Sequence, residues 1–170
     1  FHSVSDYQNA ASQQLKSSIW NKNKITANTG AASSALQKQY PELADVSITL
    51  PLIGHRPIYY LKATKPAFIL QTANGGAYIL DDAGKALIAK GAAPAATTAN
   101  LLTINDQTGL RVVTGKQVVS SREVAFIKAV TAMLEDKNIK ISGLTLPVNA
   151  AQELDVAVAG KPYFVKFNLH

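Results

Sequence analysis

Apolar and polar positions alternate most clearly over residues 65–84, KPAFILQTANGGAYILDDAG. A period of two on both sides of the Asn-Gly-Gly at residues 74–76 predicts two β-strands joined by a tight hairpin, because these turn residues tolerate a positive φ. The Asp-Asp-Ala-Gly at residues 81–84 predicts a second turn, and a third strand is expected over residues 85–90. The pattern therefore predicts an antiparallel meander, which indicates a sheet and no particular activity.

The chain before the meander begins with two helical patterns. Ser5 and Gln8 have capping-box spacing, and apolar side chains recur at every fourth residue, which predicts a helix over residues 6–18. A second helix is expected over residues 30–40, because Pro41 forces the preceding residue out of helical geometry. The polar residues between the two helices, 20–30, predict a loop.

Two extended patterns follow the predicted helices. Residues 46–50 and 58–64 alternate as strands do, and the turn between them at residues 51–57 contains two prolines and a glycine. Two strands alone form a poor platform for two helices. We therefore expect a further short strand ahead of Phe1.

The middle of the second half carries weaker patterns and one clear helix. Residues 91–100, GAAPAATTAN, have low complexity and predict an exposed loop. Residues 101–116 contain scattered apolar positions and are interpreted as a buried loop segment. A second capping box at Ser120 and Glu123 begins a helix over residues 121–137, whose apolar stripe is expected to lie across the sheet.

Three extended segments complete the chain. The first covers residues 139–146 and is interrupted at Gly143, and the second covers residues 154–158. Pro162 opens the last one, and because proline has no N–H to donate, this strand is expected at the edge of the sheet. Its side chains alternate between two faces. One face has Tyr163, Val165, Phe167 and Leu169, and the other has Phe164, Lys166 and Asn168.

Composition narrows the classes of function. The chain has 170 residues, 47% of them hydrophobic, which fits one folded domain or two small ones. Its net charge of +6 comes mostly from scattered single lysines, with arginine at Arg56, Arg111 and Arg122. Proteins that read nucleic acid cluster their cations and favour arginine, so no nucleic-acid partner is expected. A mildly basic surface suits work beside anionic lipid or acidic wall polymer, although solubility alone would also explain it.

The sequence offers little catalytic or metal-binding chemistry. The absence of cysteine excludes disulfides, thiol nucleophiles and thiolate metal sites. The three histidines, His2, His55 and His170, belong to no metal-binding pattern. Asp81 and Asp82 are adjacent on a strand end, so they diverge and cannot form a facing carboxylate pair. We therefore predict no catalytic residue, no cofactor and no metal, and hence no enzyme.

Several loose motifs together carry a family resemblance. The second predicted helix closes with Tyr40-Pro41, a strand pair follows, and Pro66-Ala67 leads into the hairpin. Residues 78–84, YILDDAG, supply a tyrosine, an apolar pair, an aspartate and a turn glycine. This order resembles a POTRA domain joined to the β domain of the bacterial cell-division family FtsQ/DivIB. The chain departs from the family at residues 63–65, Ala-Thr-Lys, where members often have Glu-Arg before the Pro-Ala pair.

The resemblance implies an α+β fold of two domains and a role in cell division. Residues 1–64 would form a POTRA domain, with two helices on a small sheet. Residues 65–170 would form a mainly antiparallel β domain with a packed helix. The implied function is a non-enzymatic scaffold of the divisome, outside the cytoplasm at the division septum, with one upstream helix as its anchor in the cytoplasmic membrane. The implied partners are FtsB/DivIC-like and FtsL-like proteins.

These partners are expected to dock by adding a strand to the edge of the β domain. Replacing Val165 by proline is expected to leave the fold nearly intact and to weaken this binding. The partner-binding residues are expected to be Tyr163, Phe164, Val165, Lys166 and Phe167.

Three alternatives remain open. A POTRA-bearing transport or chaperone module would pass extended polypeptides by the same strand addition. A wall-remodelling enzyme would show a turnover activity that depends on His55. At the strand itself, Lys166 would simply guard an edge against aggregation, as lysines on edge strands commonly do.

Overall fold

The computed structural model describes residues 1–17, 28–51, 56–148 and 153–168. It divides into two compact units, Phe1–Thr64 and Lys65–His170. Within the described residues the fold is α+β, with four helices and one large, mostly antiparallel sheet. Several predictions concern residues outside the described ranges: the end of the first helix at residue 18, the loop at residues 20–27, residues 52–55 with His55, Leu169 and His170.

The first unit consists of α1 (Val4–Ser17), α2 (Thr29–Gln39), β1 (Leu43–Thr49) and β2 (Ile58–Ala63). This order confirms the predicted sequence of helix, helix, strand, strand. β1 and β2 pair antiparallel, and among the described residues they form a two-stranded sheet. The strand expected ahead of Phe1 stays a prediction. The core of this unit contains Tyr7, Ala10, Ala11, Ala32, Leu36, Tyr40, Leu43, Val46 and Ile48.

Helix α1 begins earlier than the sequence predicts. The Ser3 hydroxyl accepts a hydrogen bond from the Asp6 amide at 3.2 Å, and the Asp6 carboxylate accepts one from the Ser3 amide at 3.0 Å. This reciprocal pair satisfies N–H groups at the start of the helix, as a capping box does. The prediction of a capping box at Ser5 and Gln8 is therefore wrong, because Ser5 already lies within α1.

The second unit contains β3 (Pro66–Thr72), β4 (Ala77–Asp81), β5 (Ala86–Ala89), α3 (Ala95–Thr98), β6 (Leu102–Asp106), α4 (Ser121–Asp136), β7 (Ile141–Leu146), β8 (Glu153–Val158) and β9 (Phe164–Asn168). The described strands form one seven-stranded sheet in the order β5-β4-β3-β6-β7-β8-β9. The predicted meander is confirmed as β3, β4 and β5, which pair antiparallel. β6 is parallel to both β3 and β7, so the sheet is mixed at its centre.

The interpretation of residues 101–116 as a buried loop is wrong at its start. Leu102–Asp106 is the central strand, hydrogen-bonded on both sides. Its buried positions are Ile104 and Asp106, so a carboxylate stands where a strand pattern calls for an apolar residue. Asp106 is satisfied by three donors beyond the strand end, the amide and hydroxyl of Thr108 and the amide of Leu110, at 2.9, 2.6 and 2.9 Å.

The predicted loop at residues 91–100 is partly helical. A single 3-10 turn covers Lys90–Ala92, and Pro94 then stands at the cap of the short helix α3. Proline fits this position because its fixed φ suits a helix start and no N–H is needed there. Low complexity therefore did not distinguish a loop from short helical turns.

Helix α4 packs on one face of the sheet, as predicted. Ser120 and Glu123 exchange hydrogen bonds at 3.2 and 2.7 Å, which confirms the second capping box.

The chain bulges in β7 where Gly143 was expected to interrupt the strand. Every helix in the described ranges falls short of the length and hydrophobicity that a bilayer-spanning helix requires. The buried core of this unit contains Phe68, Leu70, Leu80, Ala86, Ile104, Val119, Val124, Ile127, Val130, Leu134, Leu144, Leu154 and Val156.

Candidate functional site

Strand β9 lies at one end of the seven-stranded sheet. It pairs antiparallel with β8, and no other described strand pairs with it. The prediction that the last strand is an edge strand is confirmed. One side of its backbone therefore has no partner strand among the described residues, and such a side can pair with another chain.

Exposed apolar side chains concentrate at this edge. Tyr163, Phe164 and Val165 are 55%, 54% and 38% exposed, although they are consecutive in the chain. Tyr163 lies one residue before β9, and Phe167 is half-buried and packs against the core. The five residues predicted to bind a partner thus divide into an exposed group and one anchoring residue, because Phe167 holds the strand on its own unit.

The register between β8 and β9 assigns each side chain to a face. Val165 lies opposite Val156, which is fully buried in the core beneath α4. Phe164 and Lys166 lie opposite Ala157 and Asp155 and therefore belong to the other face. The edge thus offers an apolar side chain on the helix face and an aromatic ring with a lysine on the opposite face.

Hydrogen bonds at the turn before β9 show which backbone groups point outward. The Ala159 amide donates to the Lys140 carbonyl at 2.8 Å, and the Val158 carbonyl accepts from the Lys161 amide in the turn at 3.1 Å. Because backbone groups alternate in direction along a strand, Val156 bonds to β9, and so Val165 opposite it bonds back to β8.

The outward-facing N–H and C=O groups of β9 therefore belong to Phe164, Lys166 and Asn168. The expectation that proline at Val165 leaves the fold nearly intact is therefore revised. The N–H of Val165 is part of the ladder with β8, so proline at Val165 would disturb the unit's own sheet rather than the free edge alone.

Three charged side chains lie together on the face opposite α4. The Lys166 ammonium donates a hydrogen bond to Glu153 and lies 3.9 Å from Asp155 Oδ1. It also lies 5.6 Å from the centre of the Phe164 ring. The hydrogen bond from Lys166 lowers the pKa of Glu153 and raises the pKa of Lys166. Burial raises the pKa of Asp155, whose Oδ1 is buried and has no hydrogen bond among the described residues.

A second polar cluster, which the sequence did not predict, lies in the first unit. Glu42 is only 1% exposed, and its Oε1 lies 2.5 Å from His2 Nδ1 and 3.1 Å from the Tyr7 hydroxyl. The rings of Tyr7 and Tyr40 pack edge to face at 5.0 Å. Burial, together with the charge of Glu42, raises the pKa of Tyr7. The cluster joins the start of α1 to the turn before β1, so it is a structural feature of this unit.

Other described features do not form a chemical site. No group of three or more His, Asp or Glu side chains in the described part of the chain could hold a metal ion. A pocket of about 400 Å³ lies where α4 ends and β7 begins. Its charged lining residues are Glu135 and Lys140, without a histidine or a hydroxyl group. The pocket therefore indicates no reaction class.

No protein-family model matches this sequence, and no curated protein is significantly similar to it. Within the described ranges, the β9 edge combines unpaired backbone groups with exposed apolar side chains.

Proposed function

We propose that this chain is a non-enzymatic scaffold that binds an extended segment of another protein by strand addition at β9. The observation that carries the proposal is the free edge itself. Phe164, Lys166 and Asn168 direct backbone groups outward, beside the exposed side chains of Tyr163 and Val165. In strand addition, main-chain hydrogen bonds supply affinity and alternate side chains supply specificity.

The resemblance to FtsQ/DivIB suggests the partner and the place of action. The first unit has two helices and a small antiparallel sheet, which supports its assignment as a POTRA domain. The proposed partners are FtsB/DivIC-like and FtsL-like division proteins. The proposed location is the outer side of the cytoplasmic membrane at the division septum, with a membrane helix upstream of this segment.

The test uses residues 1–170 and a synthetic peptide that copies the extracytoplasmic segment of the FtsB/DivIC-type protein encoded in the same genome. Calorimetry compares Lys166→Pro with Lys166→Ala, because both remove the side chain and only proline removes the outward N–H. Loss of a backbone hydrogen bond of about 1.4 kcal/mol corresponds to about tenfold weaker binding. We therefore expect Lys166→Pro to bind about tenfold more weakly than Lys166→Ala.

Melting curves of both variants show whether the fold survives the substitutions. Equal affinity of the two variants for the peptide would contradict strand addition at β9. A peptide of the same composition in scrambled order separates a specific partner from a transport or chaperone role. Equal binding of the scrambled peptide would favour the transport or chaperone role, because backbone pairing alone accepts many sequences.

A further inference from the structure

Lysine on an edge strand usually protects the edge, because a strand that pairs there must accommodate or desolvate its charge. Lys166 occupies the middle of β9 and has an outward-facing N–H, so it stands at the centre of the edge. Its ammonium nevertheless contacts Glu153 and lies 3.9 Å from Asp155, and both carboxylates belong to β8. The cation is therefore directed back over the sheet and away from the free side of β9.

The two carboxylates approach the same ammonium from neighbouring positions of β8. Asp155 lies directly opposite Lys166 in the register, and Glu153 lies two residues away on the same face. Phe164 on β9 supplies an aromatic ring 5.6 Å from the ammonium, which favours the same placement. Three neighbours thus hold one flexible side chain in a single direction.

Asp155 is placed there at a cost to the fold. Its Oδ1 is buried and has no hydrogen-bond partner within the described ranges, and its carboxylate lies near that of Glu153. Buried polar atoms normally have hydrogen-bond partners, so an exception needs an explanation. One explanation is that Asp155 attracts the Lys166 ammonium from 3.9 Å. Its negative charge then adds to that of Glu153 at the ammonium.

On the basis of the strand addition proposed above, we infer that Glu153 and Asp155 are positioning residues that hold Lys166 off the free edge of β9. With both carboxylates in place, an incoming strand meets exposed apolar side chains and backbone groups. Without them, the freed lysine extends past the edge, and an incoming strand must displace it. Glu153 and Asp155 therefore keep the free side of β9 accessible to a pairing strand.

The binding test is a cycle of four proteins with the FtsB/DivIC-type peptide as probe. They are the unchanged chain, the double variant Glu153→Gln with Asp155→Asn, the single variant Lys166→Met, and a triple variant that combines all three substitutions. We expect the double variant to bind about three- to tenfold more weakly, because a mobile cation then guards the edge. Lys166→Met is the reference for the triple variant, because it measures what the lysine side chain itself contributes to binding.

The triple variant separates positioning from a merely structural role. If the carboxylates act through Lys166, removing its charge restores binding to the double variant. If they only stabilise β8, the triple variant stays as weak as the double one. Unchanged binding of the double variant, or failure of Lys166→Met to restore it, would overturn the inference.

A second measurement needs no partner. Acylation of lysine amines by an N-hydroxysuccinimide ester, followed by mass spectrometry, compares Lys166 with the exposed Lys161. We expect Lys166 to react several-fold more slowly in the unchanged chain and at a rate close to that of Lys161 in the double variant. Equal rates in the unchanged chain would show that Lys166 is not held.

Failure of this inference differs from failure of the proposed function. If Lys166→Pro and Lys166→Ala bind the peptide with equal affinity, strand addition is wrong, whatever the result for the double variant. If proline weakens binding but the double variant does not, strand addition stands and only the positioning of Lys166 is wrong.

Discussion

The two ends of the seven-stranded sheet differ in how their outer backbone groups are satisfied. At β5, the Ala86 amide donates to Lys116 at 2.9 Å, and the Ala86 carbonyl accepts from Gly115 at 2.7 Å. A further bridge joins Lys85 to Gln117, so later residues of the chain cover the start of this edge. At β9 no described strand takes that place, and Phe164 is 54% exposed.

In this fold, a later segment of the chain bonds to the outer side of β5, and no described strand does so at β9. At β5, Ala86, Leu87 and Ile88 are all buried, whereas Phe164 and Val165 are exposed. Closure at β5 uses backbone from a segment about thirty residues later in the sequence, which must be held against the turn after β4. At the opposite end of the same sheet, one side of β9 has no partner strand among the described residues, and such a side can pair with another chain.

The largest expected effect concerns Gly84, which supports the covered edge. Its carbonyl accepts from the amides of Val118 and Val119 at 2.9 and 3.2 Å, and a Cβ on Gly84 would lie 1.9 Å from the Val119 carbonyl oxygen. Gly84 also has a φ of +76°, which other residues rarely adopt. We expect Gly84→Ala to destabilise the chain by about 3 kcal/mol or more in urea unfolding.

Gly75 provides the matched control. It has a φ of +84°, but a Cβ there would meet nothing within 4 Å. Gly75→Ala should therefore cost about 1 kcal/mol, from backbone conformation alone. Similar losses for the two variants would mean that the later segment does not press closely on the turn, and the contrast between the two edges would weaken.

The local parts of the covered edge could be predicted from the sequence, and its closure could not. The meander and the turn at residues 81–84 follow from alternation and from turn residues, which act over short distances. Closure depends on contacts such as the bond from the Gln117 side chain to the Ala83 carbonyl at 2.9 Å, which joins distant positions. β6 was missed for a related reason, because buried Asp106 interrupts its apolar pattern and is satisfied only in the folded chain.

At the open edge, the position of β9 could be predicted and its orientation could not. Pro162 and the alternation after it indicate an edge strand. Which residues point their backbone outward depends on the register with β8, and so does the meeting of Lys166 with Glu153. A one-residue slip would exchange every one of these assignments, so sequence alone does not fix them.

The next effect in size sharpens the assignment of backbone directions at β9. Val165→Pro removes an N–H that bonds to β8, whereas Lys166→Pro removes one that faces outward. We expect Val165→Pro to cost about 2–3 kcal/mol in urea unfolding and Lys166→Pro about 1 kcal/mol or less. Val165→Ala and Lys166→Ala serve as controls for the lost side chains. The reverse order of stabilities would mean that Val165 faces the free side.

The smallest effect concerns the two carboxylates beside Lys166, whose pKa values shift in opposite directions. The hydrogen bond from Lys166 lowers the pKa of Glu153 from its ordinary 4.5, so the stability from this pair is present above about pH 4.5 and is lost as pH falls through the lowered pKa. Burial raises the pKa of Asp155 from its ordinary 3.8. Its charged form is therefore disfavoured in the fold, and that penalty declines as pH falls below the raised pKa and is gone below about 3.8.

At pH 7 we therefore expect Glu153→Gln to lower the melting temperature slightly and Asp155→Asn to leave it unchanged or raise it. Because the difference between the variants comes from ionisation, it should shrink as pH falls below the ordinary values of both groups. High salt should reduce the effect at the more exposed Glu153 more than the effect at Asp155, because solvent ions screen exposed charges better. If both variants lose stability equally at pH 7, Asp155 is a favourable ion-pair partner of Lys166. In that case, burial of the Asp155 charge does not destabilise the fold.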